Sequence, residues 1–131
     1  IKMGLQTRLE LGNLDARRDW GHAADSVRAM WLMWQQDKPR DYVIGTAENY
    51  SVAEFLDSAA CAIGIDWTAV VDTAERYRRL TEVDHLQADP ALARYLLGWE
   101  PEYTFSTLVR EMATHDLALA EREAKGEMVH A

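Results

Sequence analysis

Val27, Met30, Trp31 and Trp34 fall at i, i+3, i+4 and i+7, a spacing that puts four large apolar side chains on one stripe of an α-helix. The pattern predicts a helix that begins near Ala23 and is closed by Lys38-Pro39, with its tryptophans packed into a core rather than displayed as a carbohydrate platform. A second stripe follows at Val52, Phe55, Leu56, Ala59 and Ile63. Ser51 and Glu54 stand at capping-box spacing before it, and Gly64 is placed to end it. Cys61 falls on the inner side of that helix and reads as a small core residue. Asp89-Pro90 opens a third helix that stops at Gly98, and a fourth runs from about Phe105 with Leu108, Met112 and His115 or Asp116 in register.

Short β-favouring pieces lie between the helices. Arg8-Leu9-Glu10-Leu11 alternates polar with apolar and runs into Gly12-Asn13, Arg18-Asp19-Trp20 reads as extended, and Tyr42 to Thr46 and Asp66 to Val71 are predicted strands. From Asp72 to Gln87 the chain is charge-rich and without a period, which predicts a loop facing a ligand. Four helices and a few scattered strands make an α/β chain, or α+β taken alone, because so few strands cannot form an independent sheet. Residues 1–123 are expected to form one domain and 124–131 a frayed end.

The length of 131 residues suits one domain, and 48% hydrophobic with 27% charged residues is the balance of a folded globule. A formal charge of −8 repels a phosphate backbone, so no nucleic-acid partner is expected. With Cys61 as the single cysteine, no disulfide within the chain and no cysteine-rich zinc cluster can form, which fits a reducing cytoplasm. No apolar run approaches the roughly 20 residues that span a bilayer, and no membrane partner is expected.

Catalytic motifs are missing from this stretch: it holds no Gly-x-Ser-x-Gly, no His-Glu-x-x-His and no glycine-rich phosphate loop after a strand. His22, His85, His115 and His130 share no metal-ligand spacing and read as surface or capping residues, so no metal is expected. Glu121, Glu123 and Glu127 alternate with Arg122 and Lys125 as a solvated helix face would. The exceptions are two cationic segments in an acidic chain, Ala16-Arg17-Arg18-Asp19-Trp20 and Arg76-Tyr77-Arg78-Arg79. Arginine's planar fork matches phosphate oxygens in pairs, although spacing alone fits a surface salt-bridge network better.

The run Leu11-Gly12-Asn13-Leu14-Asp15-Ala16-Arg17-Arg18-Asp19-Trp20-Gly21-His22-Ala23 decides between them. Together with Ala29 to Met33, Arg79-Leu80-Thr81-Glu82-Val83-Asp84 and Leu97-Gly98-Trp99-Glu100-Pro101, it closely resembles the second half of GDP-mannose 4,6-dehydratases, members of the extended short-chain dehydrogenase/reductase superfamily. The resemblance implies the C-terminal substrate domain of such an enzyme, a lyase. In that family a Rossmann-like N-terminal domain binds NADP and carries the Tyr-x-x-x-Lys and Thr/Glu pairs. These lie outside the matching stretch, so the chain alone is expected to be inactive and to bind no NADP.

Carried over by resemblance, Arg18 and Arg79 contact the diphosphate of GDP-mannose or a related GDP-sugar, Glu82 accepts from ribose hydroxyls, and Asn13 serves the guanine or ribose end. Leu80 stands where the family has proline, which removes one constraint from the loop holding Arg79 and Glu82. Tyr42 to Thr46 resembles a strand of the N-terminal domain's sheet, which implies either docking onto an NADP-binding half or a homo-oligomer that covers the edge. A GDP-4-keto-6-deoxyhexose reductase or epimerase shares several of these elements, and a non-catalytic interaction remnant of the fold is the third reading.

Overall fold

The computed structural model describes residues 1–77, 81 and 83–126. It contains four helices and a few short strands, a mixed α/β chain as expected, arranged as two compact units.

The first unit comprises Ile1–Asp15, Val52–Glu82 and Val109–Ala131. Strand β1 (Leu9–Leu11) enters it from the Arg8 to Leu11 alternation. The strand pairing with it, which we number β4, is Val71–Thr73, and the two run parallel with Leu9 opposite Val71 and Leu11 opposite Thr73. Parallel strands need a crossover between them. Helix α2 (Val52–Ile63) lies on that crossover, its start tied down by the Ala53 N–H donating to the Leu14 carbonyl at 3.0 Å. Gly64 ends α2 at φ +68°, as its position implied.

The expected strand over Asp66 to Val71 is corrected by the structure. Asp66 instead caps a 3-10 turn at Trp67–Ala69 by accepting from the Thr68 N–H at 3.0 Å, and the strand begins only at Val71. An Asp-x-Thr side-chain turn competes with extended backbone, and here it wins. Gly12 ends β1 because a Cβ there would lie 2.6 Å from the Tyr77 carbonyl oxygen, so only glycine admits the 3-10 turn Glu75–Tyr77 at this distance. Cys61 is also corrected: it is exposed, and Ala60 is the buried residue of α2.

The second unit comprises Ala16–Ser51 and Val83–Leu108. In it β2 (Arg17–Arg18) pairs antiparallel with β3 (Tyr50–Ser51). Helix α1 (Ala23–Trp34) packs on α3 (Ala91–Leu97) through Ala29 and Ala93, both fully buried, and Leu97 and Trp99 complete the core. Pro90 is the N-cap of α3, Asp89 before it accepts from the Ala91 N–H at 3.0 Å, and Gly98 closes the helix at φ +61°. Helix α4 (Phe105–Ala124) starts where expected, at a reciprocal pair of hydrogen bonds between Thr104 and Thr107.

Two expectations fail in this unit. Val27, Met30, Trp31 and Trp34 are all exposed, Trp34 to 86%, while Ala29, Leu32 and Met33 face the core. Residues 29 to 34 are all apolar, so α1 carries two apolar stripes at helical spacing, and periodicity does not say which of them this chain covers. Tyr42 to Thr46 also forms no strand. Tyr42 and Ile44 pack on the core and Val43 is exposed, so the alternation is present, but a strand requires a partner and none pairs with it among the described residues.

Candidate functional site

Arg18 lies on β2 in the second unit. One Nη of its guanidinium donates to the carbonyls of Arg17 at 2.8 Å and Val83 at 2.7 Å. Two acceptors on one nitrogen fix the plane of the fork, which is what oriented recognition of a phosphate requires. Beside it, Arg17 is committed elsewhere: its Nε donates to Asn49 Oδ1 at 2.7 Å and an Nη donates to the Asn49 carbonyl at 3.0 Å. The two adjacent arginines therefore have different partners, a distinction that spacing did not reveal.

The segment after Glu82 is held against this strand. The Arg17 N–H donates to the Asp84 carbonyl at 2.7 Å and the Leu86 N–H returns to the Arg17 carbonyl at 3.1 Å, a parallel bridge between Arg17 and His85. Around it Asn49, His85 and Gln87 form a polar cluster in which the Asn49 amide nitrogen is 2.8 Å from His85 Nε2 and 2.7 Å from Gln87 Oε1.

Asp19, the middle residue of the Arg-Asp-Trp run, received no role from sequence. Its carboxylate accepts from the Thr46 hydroxyl at 2.7 Å and from the backbone N–H groups of Thr46 at 2.9 Å, Ala47 at 3.1 Å and Ala88 at 3.2 Å. It thereby ties three stretches of the unit together. A cavity of about 250 Å³ opens beside it, lined in part by Asp19, His22, Asp25, Thr46 and Trp99. His22 acts as the N-cap of α1, accepting from the Ala24 N–H at 3.0 Å, and stacks on Tyr103 at 3.8 Å between ring centroids.

Asp25 is buried at 4% exposure. Burial by itself raises its carboxyl, but the N–H groups of Glu102 and Tyr103 and the Arg28 guanidinium outweigh it and hold the group below the ordinary aspartate value. An Asp in the first turn of α1, three residues before Arg28, was the available signal for this residue.

In the first unit Asn13 makes a local turn, its Oδ1 accepting from the Asp15 N–H at 3.0 Å. Its amide nitrogen, and the second lone pair of Oδ1, are the groups it can offer a ligand. Arg76 is paired with Glu10 and lies over the Tyr77 ring, 4.8 Å from the centroid. Arg8 and Asp72 form a two-point ion pair across β1 and β4, and the hydrogen bond from Arg8 draws the Asp72 carboxyl below its usual range. These cations of the first unit serve its own sheet. Arg79 and Glu82, the other expected anchors, lie outside the described residues.

Comparison with known proteins matches this frame to one family. A family model described as GDP-mannose 4,6 dehydratase matches residues 1–112. GDP-mannose 4,6 dehydratase 2 of Arabidopsis thaliana is 53% identical over 123 residues, covering 94% of this chain and 33% of the relative. Two solved structures share the fold: RMD from Pseudomonas aeruginosa complexed with NADPH, at TM-score 0.73, 22% identity and coverage of 86% of this chain and 36% of that one; and dTDP-glucose 4,6-dehydratase from Bacillus anthracis in complex with NAD, at TM-score 0.76, 18% identity and coverage of 88% and 36%. The chain thus spans about a third of the length of the Arabidopsis relative. It belongs to the GDP-mannose 4,6-dehydratase family.

Proposed function

We propose that this chain is the GDP-sugar-binding portion of a GDP-mannose 4,6-dehydratase, which supplies substrate binding to the NADP-dependent formation of GDP-4-keto-6-deoxymannose. The observation that carries the reading is the family match over residues 1–112, which includes the Arg-Asp-Trp run leaving β2, where Arg18 is held in a fixed plane. In this reading Arg18 and Arg79 grip the diphosphate as charge-assisted donors, Glu82 accepts from the ribose hydroxyls, and Asn13 serves the nucleoside end. Oxidation, elimination and reduction of the hexose belong to an NADP-binding half outside the 131 residues.

The exposed stripe on α1 supports that division of labour. Soluble chains rarely leave Val27, Met30, Trp31 and Trp34 together in water unless another surface covers them. The covering surface we assign is the NADP-binding half, because the Arabidopsis relative is three times as long as the stretch matched here.

The test is calorimetric titration of the chain with GDP-mannose. Binding that weakens as salt rises, and that falls about tenfold or more in Arg18→Ala and Arg79→Ala, is the expected outcome. Affinity unchanged by both substitutions and by salt would sink the assignment.

A further inference from the structure

Four glycines among the described residues take left-handed backbone: Gly4, Gly64, Gly98 and Gly126, at φ +74°, +68°, +61° and +76°. The last three each close a helix. Gly64 follows α2, with the Ile65 N–H returning to the Ala60 carbonyl at 3.0 Å. Gly98 follows α3, its N–H donating to the Arg94 carbonyl at 3.1 Å, and just past α4 the Gly126 N–H donates to the Glu123 carbonyl at 2.9 Å. Gly4 repeats the Gly126 arrangement, its N–H donating three residues back to the Ile1 carbonyl at 2.8 Å. This is the inner hydrogen bond of a Schellman close, which seals the last turn of a helix. Leu5, the residue that in such a close packs back on the final turns, is 51% exposed. Residues 1–4 thus have the geometry of a C-terminal cap, and the turns that such a cap seals lie before Ile1.

The place for those turns is open. A groove of about 310 Å³ lies between α2 and α4 within the first unit, lined by Phe55, Ala59 and Ile63 on one side and Met112 and Leu117 on the other, with Ile1 standing in it. Lys2 and Asp116 are its only charged lining residues. Met112 is 46% exposed and Ile1 36%. Lys2 fastens the start of the chain there, its ammonium donating to the Ile63 carbonyl at the C-terminus of α2, where a cation is favoured. Along α4 the lining runs from Val109 to Ala120, a length of about 17 Å, or roughly three helical turns at 1.5 Å per residue.

We propose that the residues directly upstream of Ile1 form an amphipathic α-helix of about three turns, closed by Gly4, whose apolar face fills the groove between α2 and α4. The Arabidopsis relative is about three times as long as the stretch it shares with this chain, which leaves ample length for such a helix. Tethered at Ile1, it meets the groove at a high effective concentration. A second copy seated in the groove would leave the cap at residues 1–4 without a purpose, whereas the upstream helix accounts for cap and groove together. Neither Arg18 nor a bound nucleotide takes part, so this assignment and the GDP-sugar reading stand or fall separately.

The test compares the 131-residue chain with one extended by about 16 residues, those that precede Ile1 in the parent reading frame. Extension is expected to add roughly three turns of helix to the circular dichroism, to raise both the midpoint and the slope of urea unfolding, and to slow exchange of the Gly4 amide about tenfold or more. Met112→Glu is expected to remove that gain in the extended chain while moving the 131-residue chain little, since Met112 is half exposed. Ala118→Glu, exposed and outside the groove, leaves the gain in place.

Where the extended chain aggregates, a synthetic peptide of the same residues added to the isotope-labelled 131-residue chain decides: it is expected to shift the Ala59, Ala113 and Leu117 amides, and not to do so in Met112→Glu. A midpoint and Gly4 exchange unchanged by extension, a gain indifferent to Met112→Glu, a peptide that shifts none of these amides, or a reading frame with no such stretch before Ile1 overturns the proposal. So does sedimentation that finds the 131-residue chain dimeric and Met112→Glu monomeric, because the occupant is then a second copy.

Discussion

The indole N–H of Trp99 donates to the backbone carbonyl of Asp25 at 2.9 Å, and the Asp25 carboxylate in turn accepts from the N–H groups of Glu102 at 3.0 Å and Tyr103 at 3.1 Å. One residue in the first turn of α1 therefore holds both the buried tryptophan and the backbone that follows it. Asp25→Ala strips the acceptor from two backbone N–H groups and from Arg28 in a buried setting. The expected cost is about 3 kcal/mol, read as a shift in the urea midpoint without a change in slope. Tryptophan emission from Trp99 should shift red at lower urea in the same variant.

The same carboxylate sets a pH dependence. Its folded value is depressed, so its contribution is complete above the unfolded aspartate value of about 3.9 and is lost as pH falls through the lower folded value. The stability gap between the parent chain and Asp25→Asn is therefore expected to be constant from neutral pH down to about pH 4 and to narrow below it. A gap that widens on acidification would show that the carboxyl is not stabilised as an anion.

Gly45 is a packing position rather than a hinge. A Cβ there would fall on the Ala88 Cβ and lie 2.8 Å from Asp19 Oδ2, the carboxylate that gathers the Thr46, Ala47 and Ala88 N–H groups. Gly45→Ala is expected to cost about 1–3 kcal/mol by overpacking. Because segment 83–88 is fastened through Ala88, the Leu86 amide should exchange faster in this variant, whereas Gly21→Ala, with open space around its Cβ, leaves it unchanged.

The ends of α2 and α3 were legible because capping is local, whereas α1 stops at Trp34, ahead of the expected Lys38-Pro39. Gly64 and Gly98 take left-handed backbone where the chain must turn, and Asp89 accepts from the Ala91 N–H at the start of α3. Strand pairing is not local, and it was less legible. Tyr42 to Ile44 alternates correctly, but whether it becomes a strand depends on a partner that the segment itself does not encode. Arg18 could be singled out because its run is distinctive. Asn49, His85 and Gln87 could not, since they belong to no motif and Asn49 meets the other two from 36 and 38 residues away.

Trp34 and Trp99 separate the chain's surface from its core most sharply. At 86% exposure it buries almost nothing, so Trp34→Ala is expected to change the stability of the isolated chain by less than about 0.5 kcal/mol, whereas Trp99→Ala, at 1% exposure, costs about 3–5 kcal/mol. If the proposed NADP-binding half covers this stripe, the ranking is expected to change: Trp31 and Trp34 would be interface anchors of the aromatic kind that dominate binding energy, and Trp34→Ala should weaken the complex by at least about tenfold. Mixing the two halves and following tryptophan emission checks both statements: a blue shift on complex formation that is lost in a Trp31→Ala, Trp34→Ala double variant supports the docking face, and a complex of unchanged affinity in that variant refutes it.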